Sequence, residues 1–520
     1  MAGSTPTTRG LALATPQEAA TAAGRRAFED GGNAFDACLA AAASLTVIYP
    51  DNCALGGDLI ALVHRADGTR VVINASGPAA RAVDVDALRR AGEHMPIAGP
   101  DPITVPGLIG GLGELWACGA VLGWDRAFAA AIEQARDGIP VVPSLAESIA
   151  REAEALYRDP GCREVFLRGG APLREGDVLR QPALAASLER LAAEGPETFY
   201  HGPLGRAVVA GLRARGSRLE LADLAAFVPE RVAPVAARFG DVEVASAPAN
   251  SQGFLMPPIL AAAERLGGGL DPLGPDAGRL ASIFRASLAV RERYLGDPLA
   301  VGPEVLAAAA EADLLGSSQA PPRTAPRGNG DTVAIVAADA EGNTVSLLQS
   351  LFHAFGAGVL DPETGILFHN RGSFFSLDPD SPNVIAPGKR PAHTLTPCTV
   401  FREGRPQTVL ATMGGSGQPQ ILTEILLRLG LGDDATAAVG APRWVVGGLG
   451  AGDSADEILL EEGVPAAARE SLEDLGLPVT VLPDLDDSLG HSQLIVRADD
   501  GRFTAASDPR SEGAAVVLEG

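Results

Sequence analysis

Asp331-Thr332 is the point in this sequence where a reaction could start. A threonine hydroxyl is a weak nucleophile unless a base sits beside it. A threonine at a chain start carries that base itself, because the free α-amine has an unperturbed pKa of about 7.7–8.0. Cutting the bond between Asp331 and Thr332 would therefore make one residue both nucleophile and base. Gly414 and Gly415 supply a second element. They lie in Ala411-Thr412-Met413-Gly414-Gly415-Ser416-Gly417-Gln418, between a predicted strand at Val409-Leu410-Ala411 and a predicted helix from Ile421 to Leu429. Glycines at such a turn let backbone N–H groups point into a site and stabilise an oxyanion. Two polar loops offer substrate contacts. His369-Asn370-Arg371-Gly372 presents a guanidinium, which can grip a carboxylate with a two-pronged fork. Lys389-Arg390-Pro391-Ala392-His393-Thr394 presents an imidazole and a hydroxyl.

These residues need elements to hold them. The stretch 317–330 has no apolar periodicity and reads, together with Asp331, as an exposed linker. It gives way abruptly to a β-prone run from Asp331 to Ala338, a turn at Ala340-Glu341-Gly342-Asn343, and a second strand from Thr344 to Leu351. Both strands are apolar on both faces, as strands covered on each side must be. Upstream, Thr15-Pro16-Gln17-Glu18 predicts a helix start with Thr15 as N-cap. A second helix is predicted over Ala34 to Ile48, strands over Leu59 to His64 and Thr69 to Ile73, and one strand over Phe239 to Ala247. Long helices are predicted over Pro257 to Leu266 and Ala277 to Tyr294, and a strand at Gly365-Ile366-Leu367 just ahead of Arg371.

The chain has 520 residues, enough for one large domain or two intimate ones. A net charge of −24 argues against nucleic acid and anionic membrane as partners. Met1 to Gln17 lacks a signal-peptide core, and the Ala-rich stretch from Phe35 to Tyr49 is too short to span a bilayer, so the expected location is cytoplasmic. The five cysteines are scattered, with no Cys-x-x-Cys pair, and are expected to be reduced thiols with no zinc site. No metal and no organic cofactor is expected.

Further segments extend the pattern along nearly the whole chain: Gly31-Gly32-Asn33-Ala34-Phe35-Asp36-Ala37, Leu55-Gly56-Gly57-Asp58, Phe355-Gly356-Ala357-Gly358, Lys389-Arg390-Pro391 and Ala506-Ser507-Asp508-Pro509-Arg510. With Thr332 and Gly342-Asn343 at the matching spacing, the sequence resembles the γ-glutamyltranspeptidase family. The resemblance implies an α/β fold, the Ntn-hydrolase αββα four-layer sandwich. It also implies self-cleavage into a large subunit, 1–331, and a small subunit, 332–520, that stay associated, with Gly414 and Gly415 as oxyanion hole. The sequence departs from glutathione-processing members. The arginine that holds the γ-glutamyl carboxylate is missing from Ile73-Asn74-Ala75-Ser76-Gly77-Pro78, and the two positions that bind the α-amine are, by count, Phe352 and Phe374. The altered segments, including Gln349-Ser350-Leu351-Phe352-His353 and Pro391-Ala392-His393-Thr394-Leu395, are similar to the oxamate amidohydrolase branch. That branch implies hydrolysis of an amide-like bond in a small carboxylate-bearing substrate, with Arg371, His393, Thr394, Ser350 and Asn370 as its contacts. The alternatives are removal of an oxalyl-type unit by C–C hydrolysis, as in antibiotic-pathway members of the wider family, glutathione hydrolysis, and an unprocessed binding protein. The expected partner is a small molecule, and a homo-oligomer is left open.

Overall fold

Thirteen strands occupy the centre of the computed structural model, which describes residues 8–316, 331–447 and 456–519. The linker expected over 317–331 lies outside the described residues except for Asp331, where a strand begins. Along the chain the strands are β1 (Thr8–Thr15), β2 (Asp58–His64), β3 (Arg70–Ala75), β4 (Glu230–Val232), β5 (Val235–Phe239), β6 (Val242–Ser246), β7 (Asp331–Ala338), β8 (Thr344–Phe352), β9 (Cys398–Arg402), β10 (Arg405–Thr412), β11 (Ser492–Arg497), β12 (Arg502–Ser507) and β13 (Ala514–Glu519). One sheet runs β4-β3-β2-β8-β7-β1, with β13 also on β1. The other runs β12-β11-β10-β9-β6-β5 and joins the first where Thr8 and Arg9 pair with β12.

The alternation along β7 explains the layering. Val333, Ile335 and Ala337 belong to a core shared with the helix Ala34–Ile48, which is buried on every side. Ala334, Val336 and Ala338 belong to a core between the sheets, opposite Val409, Ala411 and Ile495. The outer face of the second sheet, through Cys398, Val400 and Leu410, packs on the helix Gln418–Gly430. Helix, sheet, sheet and helix thus stack as αββα, and the apolar two-sided strands are the residues that such stacking requires.

Three expectations are corrected. Thr15 does not cap a helix: it ends β1 opposite Ala514, and Gln17 caps Glu18–Glu29. The predicted strand over Phe239 to Ala247 is β6 only over Val242–Ser246; Phe239 ends β5 instead, and the chain turns between them at Gly240 with φ +60°. Gly365-Ile366-Leu367 makes a single bridge, Leu360 with Leu367, and Gly365 sits at φ +70°, outside the strand range. All five cysteines are free and buried. Among the described residues no helix is long and apolar enough to cross a membrane.

Candidate active site

Strand register assembles the first part of the site. Thr332 pairs with Ser350, and Ser350 pairs with Asp58, so the three stand in a row across β7, β8 and β2. Paired residues project to the same face of a sheet. Thr332 is 1% exposed, and its Oγ1 donates to Ser350 Oγ at 3.0 Å. A bulge between Asp331 and Thr332 shifts the register so that Asp331 lies opposite Phe352. Phe352 has φ +81°, a left-handed conformation that a bulky side chain rarely adopts, and its N–H donates to Ser350 Oγ at 2.8 Å.

Arg371 arrives from a short 3-10 helix, Arg371–Phe374, and is fully buried. Its Nη2 donates to Ser350 Oγ and its Nη1 to Thr394 Oγ1, both at 3.4 Å. Its guanidinium lies 4.0 Å from the centroid of the Phe352 ring, a cation–π contact. Its Nε has no partner, and among the described residues Arg371 makes no ion pair. Burial pushes it down to about 9, while the negative charge of Asp58 acts the other way.

Asp58 sits between two imidazoles. His393 Nε2 lies 3.2 Å from Asp58 Oδ2, and His393 Nδ1 accepts the Leu395 N–H at 3.4 Å. That pattern assigns a neutral ring protonated at Nε2. Burial, aided by the charge of Arg371, pushes His393 down to about 3. His369 Nδ1 lies 3.2 Å from the same carboxylate oxygen without the alignment of a hydrogen bond, and His369 Nε2 lies 3.1 Å from Thr104 O. Burial would raise the Asp58 carboxyl, but His369 and His393 outweigh it and hold the group below the usual carboxylate range.

Gln252 links this pocket to the glycine turn. Its Nε2 donates to Thr394 O at 3.0 Å and to Gly415 O at 2.8 Å. Gly414 has φ +139° and Gly415 φ +49°, and a Cβ on Gly414 would come within 2.5 Å of Ile421 Cδ1. Among the described residues neither glycine N–H donates a hydrogen bond, which leaves two buried donors available to an oxyanion. Asn370 also lies here, but its amide ties loops together: Nδ2 bonds Ile97 O at 2.8 Å, and Oδ1 accepts the His353 N–H at 3.2 Å. Lys389 and Arg390 are spent likewise, on the carbonyls of Pro382 and Val384 and on Asp297.

The structure thus brings Thr332, Ser350, Arg371, His393, Thr394 and the Gly415 turn into one connected set. Sequence reasoning did not single out Asp58, His369 and Gln252 as site residues. The signals for Asp58 are its place in the family-like segment Leu55-Gly56-Gly57-Asp58 and a carboxylate opening a largely apolar strand.

A family model described as Gamma-glutamyltranspeptidase matches residues 20–518. The chain belongs to the γ-glutamyltranspeptidase family. Within it, the oxamate amidohydrolase proenzyme of Klebsiella pneumoniae subsp. pneumoniae is 36% identical over 99% of both chains. The glutathione hydrolase-like YwrD proenzyme of Bacillus subtilis is 34% identical over 97% of this chain and 98% of its own. Proteins named plainly as glutathione hydrolases follow at lower identity. The solved cephalosporin acylase from Bacillus halodurans has a TM-score of 0.89 at 29% identity, covering 100% of this chain and 98% of that one. The sandwich is therefore the Ntn-hydrolase fold, and this γ-glutamyltranspeptidase-family member is a hydrolase.

Proposed function

We propose that this enzyme matures by cutting the Asp331–Thr332 bond and then hydrolyses an oxamate-type amide, in which a carboxylate adjoins the scissile carbonyl. Arg371 is the observation that carries the reading. It is a buried guanidinium without an ion pair among the described residues, bonded to the serine hydroxyl that receives the Thr332 hydrogen bond. A substrate carboxylate would supply the missing anion and, held in the guanidinium fork with Thr394 beside it, would aim its neighbouring carbonyl at Thr332.

In this reading the freed amine of Thr332 takes the hydroxyl proton as Oγ1 attacks the carbonyl carbon. The N–H groups of Gly414 and Gly415 receive the oxyanion. The amine departs with a proton relayed through the Thr332 amine, and water then releases the acid from the threonine ester. His393, neutral and fixed by Asp58, lines the carboxylate pocket without adding charge.

Two comparisons support the reading. The relatives named above as proenzymes include an oxamate amidohydrolase. The two positions where glutathione-processing members bind the α-amine carry Phe352 and Phe374, whose rings lie 5.3 Å apart and offer that amine no hydrogen bond. The test is to purify the protein, sequence the N-terminus of each chain, and assay ammonia and oxalate from oxamate beside glutathione. Two chains are expected, the smaller beginning at Thr332, with oxamate the better substrate. Thr332→Ala should remain one inactive chain. If Thr332→Ala still splits at this bond, self-cleavage is wrong; if glutathione is preferred, the substrate reading is wrong.

A further inference from the structure

The N–H groups assigned to the oxyanion sit on the most deformable kind of backbone. Gly414 and Gly415 have no side chains to pack, and their φ values of +139° and +49° lie where glycine moves freely. Within the turn, Gly417 N–H donates to Gly414 O at 2.8 Å and Gln418 N–H donates to Gly415 O. Those bonds are local and travel with the turn when it shifts. A donor that must meet an oxyanion at about 2.7–3.1 Å needs ties from outside. His491 O holds the start of the turn by accepting the Met413 N–H at 2.9 Å, and Thr396 N–H holds its end by donating to Gln418 Oε1 at 2.9 Å. The middle is held by Gln252, whose Nε2 donates to Gly415 O at 2.8 Å.

Gln252 is fully buried, and its Nε2 also donates to Thr394 O at 3.0 Å. Its Oε1 accepts from Arg291 Nη1 at 3.5 Å, and Glu292 fixes that guanidinium at 2.6 Å. The amide orientation follows, because a reversed amide would set its oxygen against two carbonyl oxygens and its NH₂ against a guanidinium. The backbone on either side is bonded to the same polar loop. Asn250 O accepts the His393 N–H at 2.7 Å, Gln252 N–H donates to His393 O at 2.8 Å, and Ser251 Oγ donates to Leu395 O. The loop that carries His393 and Thr394 thus keeps its place without the Gln252 amide. The Gly415 carbonyl would lose its bond from outside the turn. Among the described residues this is the one hydrogen bond between the glycine turn and the chain ahead of Thr332.

We propose that Gln252 is a positioning residue for the oxyanion hole. By bonding Gly415 and Thr394 through one nitrogen, it sets the spacing between the donors that receive the oxyanion and the pocket that receives the carboxylate. The proposal rests on the reading of Thr332, Gly414 and Gly415 given above. In an oxalyl group the carboxylate is bonded directly to the scissile carbonyl, so the two receptors must stand at one fixed separation. Cutting at Asp331–Thr332 would put the two ends of this tie on different chains, so the hole is completed by the large subunit. The oxyanion exists only during reaction, so loss of the tie weakens the transition state and leaves ground-state binding alone.

The test is steady-state kinetics of Gln252→Met and Gln252→Glu, with rates expressed per mole of small chain beginning at Thr332. Methionine keeps the length and loses both donors, and glutamate keeps the shape and turns an oxygen toward the two carbonyls. For oxamate, kcat should fall at least about tenfold in both, approaching the about hundredfold to thousandfold cost of losing one oxyanion donor. KM, and inhibition by oxalate, should stay within about threefold of wild type, because Arg371 and Thr394 are untouched. A residue that only stabilised the fold would lower yield and melting temperature while the processed enzyme kept its kcat, and that result overturns the proposal. So does a rise in KM with kcat unchanged, or failure of both variants to mature, which would make Gln252 structural. If the wild type cleaves glutathione and not oxamate, the substrate reading fails, and the same kcat split read on glutathione still decides the role of Gln252. A wild type that cleaves neither overturns both.

Discussion

Arg510 makes a two-pronged ion pair with Glu461, at 2.7 and 2.6 Å, adds Asp508 at 3.0 Å, and spends its remaining reach on the carbonyls of Val439 and Ala441. Arg371, buried as well, has two hydroxyl contacts at 3.4 Å and an Nε without a partner. Burial lowers both guanidiniums, but Glu461 and Asp508 more than reverse this for Arg510, whereas Arg371 ends at about 9. A charge taken out of water costs several kcal/mol unless paired and hydrogen-bonded. The saturated arginine is scaffold. Through Asp508 it shares a carboxylate with Arg443, and Arg443 in turn bonds the Leu489 and Gly490 carbonyls beside the glycine turn. The unsaturated arginine is the one that the proposed function pairs with a substrate carboxylate. Two residues of one type, both buried, thus differ in the partners that surround them.

The largest effect should come from removing the saturated charge. Arg510→Met removes the ion-pair partner of Glu461 and one of the two arginines on Asp508, and should cost about 3–5 kcal/mol of stability. Arg371→Met strands no ion-pair partner among the described residues and should change stability by less than about 1 kcal/mol, in either direction. Denaturant midpoints should be read in a Thr332→Ala background, where the protein is expected to stay one chain and unfolding is simpler to interpret. Equal losses in the two variants would erase the contrast.

Arg371→Lys sharpens the same contrast from the side of function. Lysine keeps the charge and loses the fork, so kcat/KM for an oxalyl amide should fall about tenfold to over a hundredfold, the equivalent of about 1.5–3 kcal/mol. Maturation should proceed, since that step binds no substrate carboxylate. If processing fails together with turnover, Arg371 is a structural residue like Arg510.

The smallest effect concerns Asp51, a buried carboxyl with one oxygen unpartnered, pushed up to about 6 by burial despite Ser148 and Arg151. An unfolded aspartate titrates near about 3.9, so between about pH 4 and 6 the native state holds more protons than the unfolded one. Stability conferred by this group is full at low pH and declines as pH rises through that window. Asp51→Asn should therefore stabilise the protein at pH 7 by about 1–2 kcal/mol and give no gain at pH 4. Melting temperatures of both proteins at the two pH values check this, and an equal shift at both would show that Asp51 is charged and satisfied.

Much of the layered frame was legible in the residues alone. The helices Ala34–Ile48 and Ala277–Tyr294 and the strand pair β7 and β8 follow from apolar patterning and from the turn at Gly342-Asn343, all of which are local properties. Thr332 and the glycine pair are ordinary strand and turn residues by type alone, and the family resemblance along the chain is what singled them out. Strand β1 did not, because what holds it is pairing with β7 and β13, whose residues lie more than three hundred positions away. A comparable separation hid Asp58, which meets Ser350 through strand register and His393 through a loop from the second half of the chain. No feature of an arginine in a sequence shows whether it will find a carboxylate. That depends on every side chain the fold brings around it, and so Arg510 and Arg371 were separated only by tertiary structure, where solvent is removed from both and a partner supplied to one.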